Sequence, residues 1–103
     1  VYSKYRNIIT EVDGIKFRSK KEAKRYCELS LLKKHGHIID FKMQAPYVIA
    51  SANGKTKKYY ADFVVTWSSH TTTVEDCKGV KTDLYELKKM LMKEKHGIDV
   101  VEI

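Results

Sequence analysis

The chain has 103 residues, with 20 Lys and Arg against 13 Asp and Glu, and a formal charge of +7. That length fits a single domain over residues 1–103, and a hydrophobic share of 43% supports one modest core. Cys27 and Cys77 stand far apart with no CxxC or Cys/His spacing, which argues against a disulfide scaffold and a structural zinc site and suits a reducing cytoplasm. A basic surface favours a polyanionic partner, nucleic acid ahead of an acidic membrane, although solubility alone would also account for the charge. No signal peptide is visible, and no apolar run approaches the roughly 18 residues of a membrane helix, so no membrane partner is expected.

In chain order, Ile8 to Phe17 carries Asp13-Gly14 between β-prone stretches, a hairpin signal. Ser19-Lys20-Lys21-Glu22 has capping-box spacing and opens a helix over about 20–35, with Ala23, Tyr26, Cys27 and Leu31 at helical intervals and His35-Gly36 as its end. Ile38 to Ala50 reads as strand interrupted by Pro46, and Asn53-Gly54 is a second tight turn. Lys57 to Trp67 reads as a long strand, Ser68-Ser69-His70 as a turn, and Thr71 to Cys77 as the partner strand. Thr82-Asp83 caps a second helix to about Lys95, Gly97 ends it, and Asp99 to Ile103 is a short last strand. The expected fold is mixed α/β, a central mixed sheet flanked by two main helices.

The chemistry concentrates in Tyr59-Tyr60-Ala61-Asp62-Phe63-Val64-Val65 and Val74-Glu75-Asp76-Cys77-Lys78-Gly79. Residues two apart on a strand share a face, so Asp76 and Lys78 point one way and Glu75 and Cys77 the other. A turn centred on Ser69 sets Asp76 opposite Asp62, with Cβ atoms roughly 5 Å apart. Like charges so placed are destabilising unless something compensates, and a divalent cation is the natural candidate. Carboxylate oxygens suit Mg²⁺, which keeps several waters and needs only one or two protein carboxylates plus a substrate phosphate. Lys78 is placed to orient water or neutralise charge developing on a phosphate. The plainer alternative is a solvated sheet face on which Lys78 pairs with the two aspartates.

Asp62, a hairpin, then Asp76-Cys77-Lys78 resembles the PD-(D/E)xK nuclease signature, with Ala61 where a Pro is usual. The wider strings Gly14-Ile15-Lys16-Phe17-Arg18-Ser19-Lys20-Lys21-Glu22-Ala23 and Glu75-Asp76-Cys77-Lys78-Gly79-Val80-Lys81-Thr82 look like those of short phage and prophage Holliday junction resolvase-like endonucleases. The resemblance covers nearly the whole chain. It implies a restriction-endonuclease-like core and cleavage of DNA, branched DNA above all, with Mg²⁺ or, in its place, Mn²⁺. It assigns Asp62 and Asp76 to the metal, Lys78 to catalysis, and Glu22 to the metal site or its surroundings. It also implies a cytoplasmic location, in a bacterial host or a phage-infected cell. Glu22 keeps two readings, since capping-box spacing lets it reach back to the Ser19 N–H, while its spacing to Tyr26 and Leu29 turns it towards the sheet. Symmetric cutting of two strands would require a two-fold homodimer.

Basic residues flank the expected site in sequence. Arg18, Lys20, Lys21, Lys24 and Arg25 crowd the start of the first helix, Lys55, Lys57 and Lys58 follow a turn, and Lys81, Lys88 and Lys89 lie downstream of Lys78. Among these Lys20, Lys21, Lys24, Arg25, Lys81 and Lys88 are the expected DNA contacts, by phosphate. Lys88 sits between Leu84, Leu91 and Met92, where snorkelling to water is an equal explanation. Gln44 is either a DNA or site contact or a plain edge residue. His35, His37, His70 and His96 have no ligand-like spacing. The alternatives to a junction-cutting nuclease are a nicking or structure-nonspecific endonuclease and a non-catalytic DNA-binding module.

Overall fold

The structure is a computed structural model that describes residues 9–77 and 81–103. The expectations for Lys78, and for Ile8 at the start of the first hairpin, lie outside the described residues. The elements are β1 (Thr10–Val12), β2 (Ile15–Phe17), α1 (Lys20–Lys34), β3 (Ile38–Ala52), β4 (Lys55–Trp67), β5 (Thr72–Asp76), α2 (Asp83–His96) and β6 (Val101–Glu102). Strands β1 and β2 form a hairpin, and the other four make a mixed sheet in the order β3-β4-β5-β6. The fold is therefore the expected mixed α/β. Among the described residues no helix is long and apolar enough to cross a membrane.

Local chemistry accounts for most of the boundaries. Asp13 and Gly14 both take positive φ, 53° and 76°, as the two-residue turn between twisted strands requires. Ser19 Oγ accepts from the Glu22 N–H at 3.2 Å to cap α1, and Thr82 Oγ1 accepts from Tyr85 N–H at 3.1 Å to cap α2. Helix α1 closes where Gly36 turns to φ 78°, with the Gly36 N–H on the Lys33 carbonyl and the His37 N–H on that of Leu32. Pro46 does not interrupt β3, because β3 is the edge strand and a missing N–H costs little there.

The β4–β5 register is the one a turn at Ser69 sets, Phe63 opposite Glu75 and Val64 opposite Val74. Strand β6 runs parallel to β5, Glu75 against Val101 and Asp76 against Glu102. Phe63 and Val65 pack with Phe17, Ala23 and Leu29 of the β2–α1 side, whereas Val64 and Val74 pack with Met92 of α2. Neighbouring strand residues point to opposite faces, so the two helices cover opposite faces of the sheet. Ala61 packs with the α2 cluster and Phe63 with the α1 cluster although they are two apart. The sense of alternation thus changes across Asp62, which lies beside Gln44 at φ 52° in the edge strand.

The face of α1 differs from the expected stripe. Cys27 and Leu31 are exposed, while Glu22, Ala23 and Leu29 are buried and Tyr26 is half-buried. On a 100° wheel the covered arc runs from Leu29 through Glu22 and Tyr26 to Ala23, with Cys27 and Leu31 beyond it, so Glu22 sits within the buried face rather than at its margin.

A carboxylate cluster beside a basic groove

Three elements bring the expected site residues together. Asp76, at the end of β5, is 1% exposed, and Tyr59 on β4 donates its hydroxyl to Asp76 Oδ2. Burial, reinforced by the Asp76 hydrogen bond, raises the Tyr59 pKa and keeps the phenol a donor. Asp62 Oδ2 accepts from the Cys77 N–H at 2.8 Å, and Asp62 Oδ1 accepts from Gln44 Nε2 at 3.2 Å. Asp62 is thus gripped by the backbone residue next to Asp76 and by an edge-strand amide. Each of its oxygens keeps a further lone pair for another ligand.

Glu22 enters from the first turn of α1 and shares a small cavity with Asp62, Gln44 and Arg18. The Ser19 half of the capping box is present, and Glu22 is only 9% exposed. The thiol of Cys77 lies in the field of these acids. Burial first, and then the charges of Asp62, Glu22, Glu75 and Asp76, push it up to about 12. Among the described residues no group of three or more His, Cys, Asp or Glu is arranged to hold a metal ion. The oxygen-only donor set of Asp62, Asp76 and Glu22 nevertheless fits Mg²⁺, which binds through one or two carboxylates and retains water.

Glu75 goes elsewhere, as strand alternation requires. Its two oxygens accept from Arg25 Nε at 2.8 Å and Nη2 at 2.6 Å, a two-point pair in which Glu75 is 2% exposed. Arg25, expected as a DNA contact, is therefore turned inwards, with its remaining Nη1 beside Glu28 at 3.5 Å. The pair ties α1, one turn beyond Glu22, to the strand residue preceding Asp76. Sequence spacing put Glu75 on the other face but offered no sign of its partner 50 positions away.

A groove of about 590 Å³ opens beside Asp62, lined among others by Arg18, Lys58, Tyr60, Leu84 and Lys88. Gln44 lines both this groove and the smaller cavity that holds Glu22. Among the described residues Arg18, Lys58 and Lys88 form no ion pair, whereas Lys81 and Lys89 both meet Glu102, at 3.3 and 3.4 Å. Lys81, also expected on DNA, is thus held at the β6 edge. Lys20, Lys21 and Lys24 are exposed on α1. Arg18 and Lys58 are visible in the sequence only as members of charge runs; their convergence on Asp62 depends on the hairpin and the sheet register.

Fold and site together define a small mixed α/β domain with buried acids at the end of a central strand and a cationic groove next to them. The chain belongs to the family described as "Protein of unknown function (DUF1064)", which it matches over residues 2–101. No curated protein and no solved structure matches the chain.

Proposed function

We propose that this protein is a metal-dependent endonuclease that hydrolyses DNA phosphodiester bonds at Asp62 and Asp76, with Glu22 beside them. The observation that carries the proposal is the pairing of opposites. Asp62, hydrogen-bonded to the amide next to buried Asp76, forms the edge of a groove whose Arg18, Lys58 and Lys88 have no acidic partner among the described residues. The cations suit a phosphate backbone, and the acids would repel it unless a divalent cation lay between.

In this reading Asp62 and Asp76 hold Mg²⁺ or Mn²⁺, and Glu22 supports the site from α1. The ion, when bound, supplies Lewis acidity towards a phosphate oxygen and an activated water. The protein's part is orientation. Tyr59 fixes Asp76, while Gln44 and the Cys77 amide fix Asp62. Arg18, Lys58 and Lys88 hold the strand by its phosphates, and Lys78 takes the catalytic lysine role that the PD-(D/E)xK resemblance assigns to it. The same resemblance favours branched DNA, a restriction-endonuclease-like core and a homodimer for symmetric cutting.

A non-catalytic DNA-binding module would keep the same fold and cationic groove and use the acids for no chemistry. Cleavage of labelled four-way junction, nicked and linear DNA with Mg²⁺, Mn²⁺ or EDTA separates the two. Metal-dependent cutting that Asp76→Ala removes, in a variant with wild-type circular dichroism, supports the enzyme. A wild type that binds DNA and cuts none of the substrates with either metal leaves the binding module.

A further inference from the structure

We infer that the groove beside Asp62 receives an unpaired nucleotide of a DNA strand, its base against Tyr60 and Leu84 and its phosphates on Arg18, Lys58 and Lys88. The inference rests on the proposed nuclease reading for its chemistry, but its binding claim stands apart from cleavage.

The groove is not uniformly polar. Tyr60 is 55% exposed and Leu84 60% exposed, and both line it together with the three cations that form no ion pair among the described residues. The outer surface of a duplex offers phosphates and base edges, against which a phenol ring and an isobutyl group gain little. An unstacked base offers a π face, which an aromatic side chain covers without regard to sequence. The cations come from three separate places, Arg18 just before α1, Lys58 in β4 and Lys88 in α2. They therefore stand around the groove rather than along one helix, as a single strand entering it would need. Asp62 lies in the same lining, so the base and the acid group address neighbouring parts of one strand. Other large apolar side chains are exposed on α2, including Leu87 and Met90, but they lie outside this groove.

The test is fluorescence anisotropy with labelled oligo-dT and with a blunt duplex of equal length, in EDTA so that nothing is cut. Tyr60→Ala should weaken oligo-dT binding about 5- to 150-fold and leave the duplex within about two-fold, while Tyr60→Phe keeps the wild-type affinity. Lys58→Gln should lower the slope of log K against log salt for oligo-dT by about 0.7, the loss of one phosphate contact to a single strand. Tyr60 is exposed, so its replacement should spare the fold, and Tyr60→Phe serves as the check on the ring. Equal affinity of Tyr60→Ala and wild type for oligo-dT, or an equal loss on oligo-dT and duplex, overturns the inference. Tyr60-dependent single-strand binding by a protein that cuts nothing would keep this inference and remove the nuclease reading. Cutting by a protein whose oligo-dT binding ignores Tyr60 would do the reverse.

Discussion

Replacing Arg25 by methionine removes one half of the ion pair that fastens α1 to β5. Glu75 is 2% exposed and takes both of its hydrogen bonds from Arg25, at 2.8 and 2.6 Å, so the variant leaves a carboxylate in the interior without its cation. Breaking a buried pair from one side costs about 3–5 kcal/mol. A domain of this size has about 5–15 kcal/mol to lose, and each kcal/mol is worth about 4–8 °C of melting temperature. Arg25→Met should therefore lower the midpoint by about 12–40 °C in thermal circular dichroism, with a matching fall in urea midpoint. The double variant Arg25→Met/Glu75→Met should recover most of the loss, because it removes the stranded charge as well. A cost for Arg25→Met under about 1 kcal/mol would show that the pair acts as an exposed one, since that is what an exposed pair contributes. So would a double variant no more stable than the single one.

Four further outcomes follow from other parts of the structure. Native protein at pH 8 should show one fast-reacting thiol towards DTNB, the exposed Cys27, with Cys77 reacting only in denaturant; two equal native rates would contradict its burial. Because the Cys77 thiol is pushed from an ordinary value near 9 up to about 12, the unfolded chain loses that proton first, so stability should fall as pH rises from about 9 towards 12, and Cys77→Ala should flatten this part of the curve. Tyr59→Phe deletes the hydroxyl that serves buried Asp76 and should cost about 1–3 kcal/mol in urea denaturation, where a change under about 0.5 kcal/mol would show the bond to be dispensable. Gly36→Ala forces a Cβ onto φ 78° and should destabilise by about 1 kcal/mol, an effect that a neutral result would deny.

Turns and caps were the legible part of the fold. Asp13-Gly14, Ser19, His35-Gly36, Asn53-Gly54, Thr82 and Gly97 act through their own backbone, so each marks its boundary without help from the rest of the chain. The opposition of β4 and β5 was legible for the same reason, as a short turn at Ser69 sets the register. The passage of β3 through Pro46 depended on β3 being an edge, which is a property of the whole sheet. The helical period found Ala23 and Tyr26 on the covered face of α1 but misplaced its far side, because Leu29 fits the period as well as Cys27 and Leu31 do and only the packed sheet chooses between them. In the site, the sequence singles out Asp62, Asp76 and Glu22, whereas nothing near Arg25, read there as a DNA contact, announces its pairing with Glu75. Tyr59 is visible in the sequence only as part of the stretch before Asp62, since its role lies in a hydroxyl directed at Asp76 from 17 residues away.

The central claim is that Asp62 and its neighbours act on DNA through a divalent cation, and Asp62→Ala tests it most directly. Asp62 is half-buried and among the described residues its bonds reach the Cys77 amide and Gln44, so its loss spares the core formed around Phe63 and Leu29. Cleavage with Mg²⁺ and DNA affinity in EDTA should be measured side by side for wild type and variant. Cleavage should disappear while affinity in EDTA stays equal or tightens, because a negative charge has left the neighbourhood of the phosphates. Undiminished cleavage by Asp62→Ala, or a wild type without cleavage alongside tighter binding by the variant, would contradict that claim.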